Sequence, residues 1–362
     1  MLKTLHVALK DNSYPLIVGT GLIDRIGFFL NKYTKSEKVF IVCDSVVNQH
    51  ITPIVKQNLV SNGYDVTVLA IPGGEESKSI AQISRVLDAL IDAHLDRRSL
   101  LIAIGGGVIG DLSGFAASIF MRGIAYVQIP TTLQAQVDAS VGGKTAINHP
   151  KGKNLIGTFH QPKLVIIDID TLETLPERDI KAGLIEVVKM GVIRDTYLFE
   201  MVEENLDAIL NLDAEILIEI ISSACANKAD IVVKDEKESH LRMVLNYGHT
   251  FGHALEALTE YNRYRHGEAV SIGMNCAAKL AVNLDMLSEK DYHRQRLLLE
   301  RADLPLNFPA DLSPETICES MYLDKKTFGG KLHVILPTRI GEVVIRDDVT
   351  DKEIIHAISE CY

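Results

Sequence analysis

Residues Leu100-Leu101-Ile102-Ala103-Ile104-Gly105-Gly106-Gly107-Val108-Ile109-Gly110-Asp111 run from an unbroken apolar stretch into a glycine cluster and then into a helical pattern. The apolar stretch reads as a strand covered on both faces. Gly105, Gly107 and Gly110 have G-x-G-x-x-G spacing, which lets backbone approach a diphosphate at the N–H-rich start of a helix. The pattern alone equally describes a tight strand-to-helix turn that binds nothing. The ordinary fingerprint also wants a carboxylate about 20 positions on, at the end of the next strand. Here that strand, Tyr126 to Ile129, runs into Pro130-Thr131-Thr132. An acidic strand end comes earlier, at Asp44 after Val39 to Cys43, so the expected unit is a rearranged nucleotide-binding domain.

Outward from this stretch the same texture repeats. Val66 to Ile71 and Leu164 to Ile167 read as further buried strands, and Ile80 to His94 has apolar residues at helical spacing. Leu5 to Leu9 and Tyr14 to Val18 flank Asp11-Asn12-Ser13 as a hairpin. After about residue 170 the chain turns Leu-, Ile-, Ala- and Glu-rich, with helices expected over 179–192, 213–233 and 248–258 and short strands at 332–336 and 342–345. The expected fold is α/β: an N-terminal, Rossmann-like parallel-sheet domain over 1–170, and a mainly α-helical domain over 171–362, with a cleft between.

The 362 residues are 47% apolar and carry a net charge of −11, a surface that disfavours nonspecific binding to nucleic acid or anionic membrane. No run of about 20 apolar residues offers a membrane span. Five dispersed cysteines without a C-x-x-C pair read as reduced thiols, and no signal peptide is expected, so the expected compartment is the cytoplasm.

Three further clusters suggest chemistry. Pro72-Gly73-Gly74-Glu75-Glu76-Ser77-Lys78-Ser79 follows a strand and opens a helix, as an anion-binding loop or as a plain loop with a Ser79 N-cap. Gly142-Gly143-Lys144-Thr145 ends like a phosphate loop, but Asp138 holds the slot of the first glycine, so ATP hydrolysis is a poor reading. Gly152-Lys153-Asn154 repeats the same chemistry. In the second half His249 and His253 are spaced i, i+4 on one helical face, with His266 close behind. Thr250 stands where a metalloprotease would have its glutamate, which argues against peptidase chemistry. Glu186 and Lys189 sit at i, i+3 amid apolar residues, as a helix-surface ion pair or as part of a site. Two histidines and a carboxylate suit a catalytic Zn²⁺ or similar ion; hydrogen-bonded core histidines are the plain alternative.

Together, Pro72 to Ser79, Gly105 to Leu112, Met121 to Gly123, Pro130 to Pro162, Ala182 to Lys189, Leu245 to Glu256, His266 to Met274 and Asp324-Lys325-Lys326 resemble the 3-dehydroquinate synthase family of sugar phosphate cyclases. The resemblance spans nearly the whole chain. It implies NAD and a divalent metal, Zn²⁺ or Co²⁺, with Glu186, His249 and His266 as metal ligands. It places cofactor contacts at Asp44, Glu75, Lys78, Gly106, Gly107, Val108, Ile109, Gly110, Asp111, Thr131, Thr132, Lys144, Lys153, Thr171, Leu172, Glu173 and Thr174. Substrate contacts would be Asp138, Lys144, Asn154, Lys189, Lys228, Arg242, Asn246, His253 and one of Lys325 and Lys326. Arg122 would reach a neighbouring subunit's phosphate pocket, which implies a homodimer. The implied substrate is a small sugar-acid phosphate, 3-deoxy-D-arabino-heptulosonate 7-phosphate. The implied reaction is transient oxidation, phosphate β-elimination, re-reduction, ring opening and aldol closure to 3-dehydroquinate. Phe120, Gln134 and Ala139 stand where the family commonly has tyrosine, leucine and serine.

Two other enzymes share part of this pattern: a cyclase acting on a substrate without a carboxylate, and a metal-dependent polyol or glycerol dehydrogenase. Lys228 and Arg242 match the carboxylate-binding pattern and favour dehydroquinate. A nucleotide-sensing protein would have no use for the metal cluster.

Overall fold

The computed structural model describes residues 2–238, 240–323 and 332–362. They form two compact units, Met1–Pro176 with Leu212–Lys237, and Glu177–Asn211 with Glu238–Tyr362.

The first unit is built on a seven-stranded sheet. In chain order its strands are β1 (Leu2–Val7), β2 (Tyr14–Gly19), β3 (Lys38–Asp44), β4 (Asp65–Ile71), β5 (Leu100–Gly105) and β6 (Ala125–Pro130), followed by the hairpin β7 (Lys144–His149) and β8 (Gly152–Phe159), then β9 (Leu164–Asp168). The sheet order is β1-β2-β9-β6-β5-β3-β4, and only the β1–β2 pair is antiparallel. Side chains alternate across it. Val39, Ile41, Cys43, Ile102 and Ile104 pack under the helices Ile26–Tyr33 and Thr52–Ser61. Phe40, Val42, Leu101 and Ala103 pack under Ile80–Asp92 and Gly107–Ile119. Both faces are covered, which is why these strands read as continuous apolar runs.

The β7–β8 hairpin occupies the stretch expected as glycine- and lysine-rich loops. Thr145 and Ile147 turn inward while most of β8 is open, and Gly114 makes room: a Cβ there would come 2.4 Å from Thr145 Cγ2. The helix Ala214–Lys234 also departs from the expected division at residue 170. It packs on β1, β2 and the turn Ala135–Ala139, so Lys228 belongs to the first unit.

The second unit is mainly helical. At its centre Glu177–Arg194 buries every residue from Ala182 to Ile193, as expected of a helix covered all round. His249–Leu258 and His266–Asn283 pack backbone to backbone at glycines. A Cβ on Gly273 would lie 2.0 Å from the Gly248 carbonyl oxygen, and one on Gly252 would lie 3.0 Å from the Ala269 oxygen. Gly267 brings His266–Asn283 equally close to Glu177–Arg194, since a Cβ there would be 1.9 Å from the Ala182 oxygen. The helices Thr196–Glu204, Leu206–Leu210, Glu289–Arg301, Pro314–Leu323 and Asp351–Ser359 and an antiparallel hairpin, β10 (Val334–Arg339) and β11 (Glu342–Arg346), belong to the same unit. Among the described residues no helix is long and apolar enough to cross a membrane.

Candidate functional site

In the first unit the chain leaves β3 for the edge strand β4 and returns to β5 on the other side of β3. That reversal opens a crevice at the carboxyl ends of β3 and β5, the place where doubly wound sheets take nucleotides. Asp44 ends β3 and Gly105 ends β5. Asp44 Oδ1 accepts the backbone N–H groups of Val46 and Val47, both at 2.9 Å. Its Oδ2 faces the glycines, 3.2 Å from where a Gly105 Cβ would stand. Cβ atoms on Gly106, Gly107 and Gly110 would meet Thr132, Ala139 and Gln128 at 3.2, 3.3 and 3.1 Å. The glycines therefore let the backbone lie close against Thr132, Ala139 and Gln128, and this backbone cradle is a helix start whose first N–H groups have no acceptor within the helix. This fits a dinucleotide diphosphate, with Asp44 placed for a ribose hydroxyl.

Around the cradle the expected cofactor residues gather at the same edge of the sheet. Thr131 and Thr132 follow β6, and Thr171 to Thr174 follow β9. The Thr171 hydroxyl donates to the Asp168 carbonyl at 2.7 Å and accepts from Gln136 at 3.2 Å, and Leu172 is buried, so these two act as framework. Lys78 is buried rather than solvated. Its ammonium donates to Asp111 at 2.6 Å and to the Asn154 side chain. Asn148, which the sequence did not single out, completes the network by donating to Glu75 Oε1 at 2.8 Å and accepting from the Asn154 backbone at 2.9 Å. Glu75, Lys78, Asp111 and Asn154 are thus one constellation, tied to the β7–β8 hairpin. Ser79 caps its helix as expected. Lys144 opens β7 and Lys153 and Asn154 lie in β8. Lys228 is buried and donates to the Asp138 carboxylate at 2.6 Å and to the Asp138 carbonyl at 2.5 Å. Arg122 is exposed on a corner where it and Met121 have φ of +68° and +50°.

In the second unit Glu186 and Lys189 are an ion pair in the core, each 1% exposed, not on a helix surface. Glu186 Oε1 lies 3.6 Å from both His249 Nε2 and His266 Nε2 and accepts no hydrogen bond. That separation is too long for a hydrogen bond, so the buried Glu186 and His249 and the half-buried His266 converge on a gap without satisfying one another. His253 joins them: the ligand nitrogens of His249, His253 and His266 all lie within 4.8 Å of one another. His253 thus borders the set expected without it. Each of the other two rings has its Nδ1 engaged, His249 with the Tyr247 carbonyl at 3.0 Å and His266 with Glu256 at 3.2 Å, which turns Nε2 toward Glu186. The donor set fits a divalent cation.

For Glu186 and His249 the electrostatics agree with this. Burial opposes ionisation of Glu186, but Lys189, His249 and His266 outweigh it and hold the carboxyl well below its ordinary range. Burial and then Lys189 push His249 down to about 3, leaving a neutral imidazole with a lone pair to give. His266 differs: burial opposes its charge, yet Glu186 and Glu256 raise it to about 10, so a cation has to displace the proton on Nε2. Arg242 is buried in the turn Leu241–Asn246, with Asn246 at its end. Lys325 and Lys326 lie outside the described residues.

The Lys78–Asp111 pair yields a prediction. Burial raises the Asp111 carboxyl, and Lys78 opposes that rise. In Lys78→Met the carboxyl should climb further, and ionising it then costs stability as pH rises toward that new value. The substitution should cost about 1.5–3 kcal/mol near neutrality and much less in acid, where Asp111 is protonated. Urea denaturation at the two pH values measures this; an equal loss at both would contradict it.

Comparison with known proteins agrees with the geometry. The family model described as 3-dehydroquinate synthase N-terminal matches residues 68–182, and its C-terminal counterpart matches 183–327. A 3-dehydroquinate synthase of Desulforamulus reducens is 48% identical over 357 residues, covering 99% of each chain. Among solved structures, a 2-epi-5-epi-valiolone synthase from Streptomyces hygroscopicus with NAD⁺ and Zn²⁺ bound superposes with a TM-score of 0.90 at 28% identity, covering 98% of both chains. A 2-deoxy-scyllo-inosose synthase complexed with carbaglucose-6-phosphate, NAD⁺ and Co²⁺ gives 0.88 at 27% identity, covering 99% of this chain and 100% of its own. With both halves matched and a close relative aligned end to end, the chain belongs to the 3-dehydroquinate synthase family.

Proposed function

We propose that the chain is a phosphate-eliminating lyase that converts 3-deoxy-D-arabino-heptulosonate 7-phosphate to 3-dehydroquinate and phosphate. The observation that carries this reading is the buried carboxylate of Glu186 facing His249 Nε2 and His266 Nε2 at 3.6 Å each, beside Lys189. When bound, NAD⁺ supplies a hydride acceptor that is regenerated and the divalent cation a Lewis acid, which together make an otherwise inert phosphate ester able to leave. Two cyclase neighbours with NAD⁺ and Zn²⁺ or Co²⁺ support that pair of cofactors.

Glu186, His249 and His266 would hold the cation. Lys189 keeps the proton off Glu186, and the Tyr247 carbonyl keeps it on His249 Nδ1, so both ligands arrive ready to give an electron pair. The cradle at Gly106 to Gly110, with Asp44, Thr131 and Thr132, would hold the dinucleotide. Lys228 and Arg242, both buried cations, are assigned to the substrate carboxylate, and Lys144, Asn154 and Lys189 to its remaining oxygens, since charge-assisted donors orient an anion best. Asp138 pre-positions Lys228. His253 touches substrate at the rim of the metal set. The departing phosphate is itself a base within reach of the proton lost in the elimination, which fits a site with no residue assigned as the elimination base.

The test is phosphate release from the heptulosonate phosphate with catalytic NAD⁺. One phosphate should appear per substrate consumed, with no lasting rise at the NADH absorbance band, and a chelator should abolish turnover until Zn²⁺ is restored. Stoichiometric NADH from a polyol, with no phosphate released, would favour a dehydrogenase instead.

The proposal extends to a cytoplasmic homodimer. The five cysteines are buried thiols, which suits a reducing compartment. Ile119, Met121, Leu155 and Phe159 are exposed in the first unit, as is Arg122. Sedimentation equilibrium should give twice the chain mass; a monomer would leave Arg122 no partner site to reach.

A further inference from the structure

We propose that Glu256 is a positioning residue of the metal centre, fixing the tautomer and ring orientation of His266 so that Nε2 faces the cation. The inference rests on the metal reading given above and adds to it a residue that is not itself a ligand.

Glu256 is 6% exposed, and its Oε2 accepts from His266 Nδ1 at 3.2 Å. A carboxylate is costly to bury, so its place in the core needs a partner that repays the desolvation. It stands on the helix His249–Leu258, three residues after His253 and seven after His249. Those spacings put all three on one helical face. One helix thus presents two imidazoles and the group that aims the third. His266 is the first residue of its own helix. Its backbone is pinned there because Glu268 Oε2 accepts the Arg265 N–H at 2.8 Å while Arg178 grips the same carboxylate at 2.6 and 2.7 Å. With the backbone fixed, rotation of the ring is the main freedom left to His266. A hydrogen bond from Nδ1–H to Glu256 removes it and leaves Nε2 as the nitrogen that faces Glu186 Oε1, at 3.6 Å, and gives up its proton to a cation. His249 gets the same service from the Tyr247 carbonyl, which is backbone and beyond the reach of a side-chain substitution. Partners of this kind raise the basicity of a ligating imidazole as well as orienting it.

The experiment measures Zn²⁺ binding to the full-length, metal-stripped chain by competition with a chromophoric chelator, for wild type, Glu256→Gln and Glu256→Ala. The visible spectrum of the Co²⁺-loaded forms and kcat and KM of the Zn²⁺-loaded forms are recorded alongside. Loss of such a partner costs about 10–100-fold in metal affinity. The alanine variant should show that loss and a changed Co²⁺ spectrum. The glutamine variant, whose amide oxygen still accepts from Nδ1–H, should fall in between. Both should lose kcat more than they raise KM. Wild-type Zn²⁺ affinity and an unchanged Co²⁺ spectrum in both variants would overturn the inference and leave the metal reading standing. A wild-type chain that binds no Zn²⁺ would overturn both. Should the alanine variant fail to fold, the near-isosteric glutamine variant still decides.

Discussion

Three helices of the second unit approach so closely that only glycine fits between them. Gly273 sits against the Gly248 carbonyl, Gly252 against Ala269 and Gly267 against Ala182, where added Cβ atoms would stand 2.0, 3.0 and 1.9 Å from backbone oxygens. These contacts set the distance between His249–Leu258 and His266–Asn283, and between the latter and Glu177–Arg194. The proposed ligands sit beside them: Glu186 one turn past Ala182, His249 next to Gly248, His266 next to Gly267. Moving any helix by the width of a methyl group would separate Glu186 from the imidazoles. The proposed centre is therefore a property of backbone packing as much as of the residues that would touch the cation.

The first unit solves a different problem with the same means. Its crevice arises because β4 is added outside β3 before the chain returns to β5, and its glycines let a helix start lie close against Thr132, Ala139 and Gln128. Two charged pairs stiffen the rim. Lys78 ties the loop after β4 to Asp111 of the helix Gly107–Ile119 and, through Asn154, to the β7–β8 hairpin, and Lys228 with Asp138 ties the Ala214–Lys234 helix to the turn after β6. Each pairs a buried cation with a more accessible carboxylate, so the cost of desolvating the lysine is offset before an anionic ligand arrives.

Much of this was legible from residue order. β3, β5 and β9 are apolar runs, and β6 is one but for Gln128, because both faces of the sheet are covered, and the i, i+4 histidines announce a shared helix face. The β7–β8 hairpin was not legible. Lys144 to Phe159 alternates polar, glycine and exposed apolar residues, and it is the pocket left by Gly114 that fixes Thr145 inward. The place of the Ala214–Lys234 helix was likewise hidden: its periodicity declares a helix, but only contacts with β1 and with Gln136 through Cys225 assign it to the first unit. Asn148 and Glu256 escaped for a related reason. Each acts through a residue distant in sequence or on another helix, and no local spacing encodes which helix crosses which.

The central claim is that Glu186, His249 and His266 hold one divalent cation. X-ray absorption at the zinc edge of the Zn²⁺-loaded chain addresses it directly. The account predicts one zinc per chain with nitrogen and oxygen neighbours at about 2.0–2.1 Å and the outer-shell scattering of two imidazole rings. A shell of water oxygens alone, or sulfur neighbours at about 2.3 Å, would contradict it.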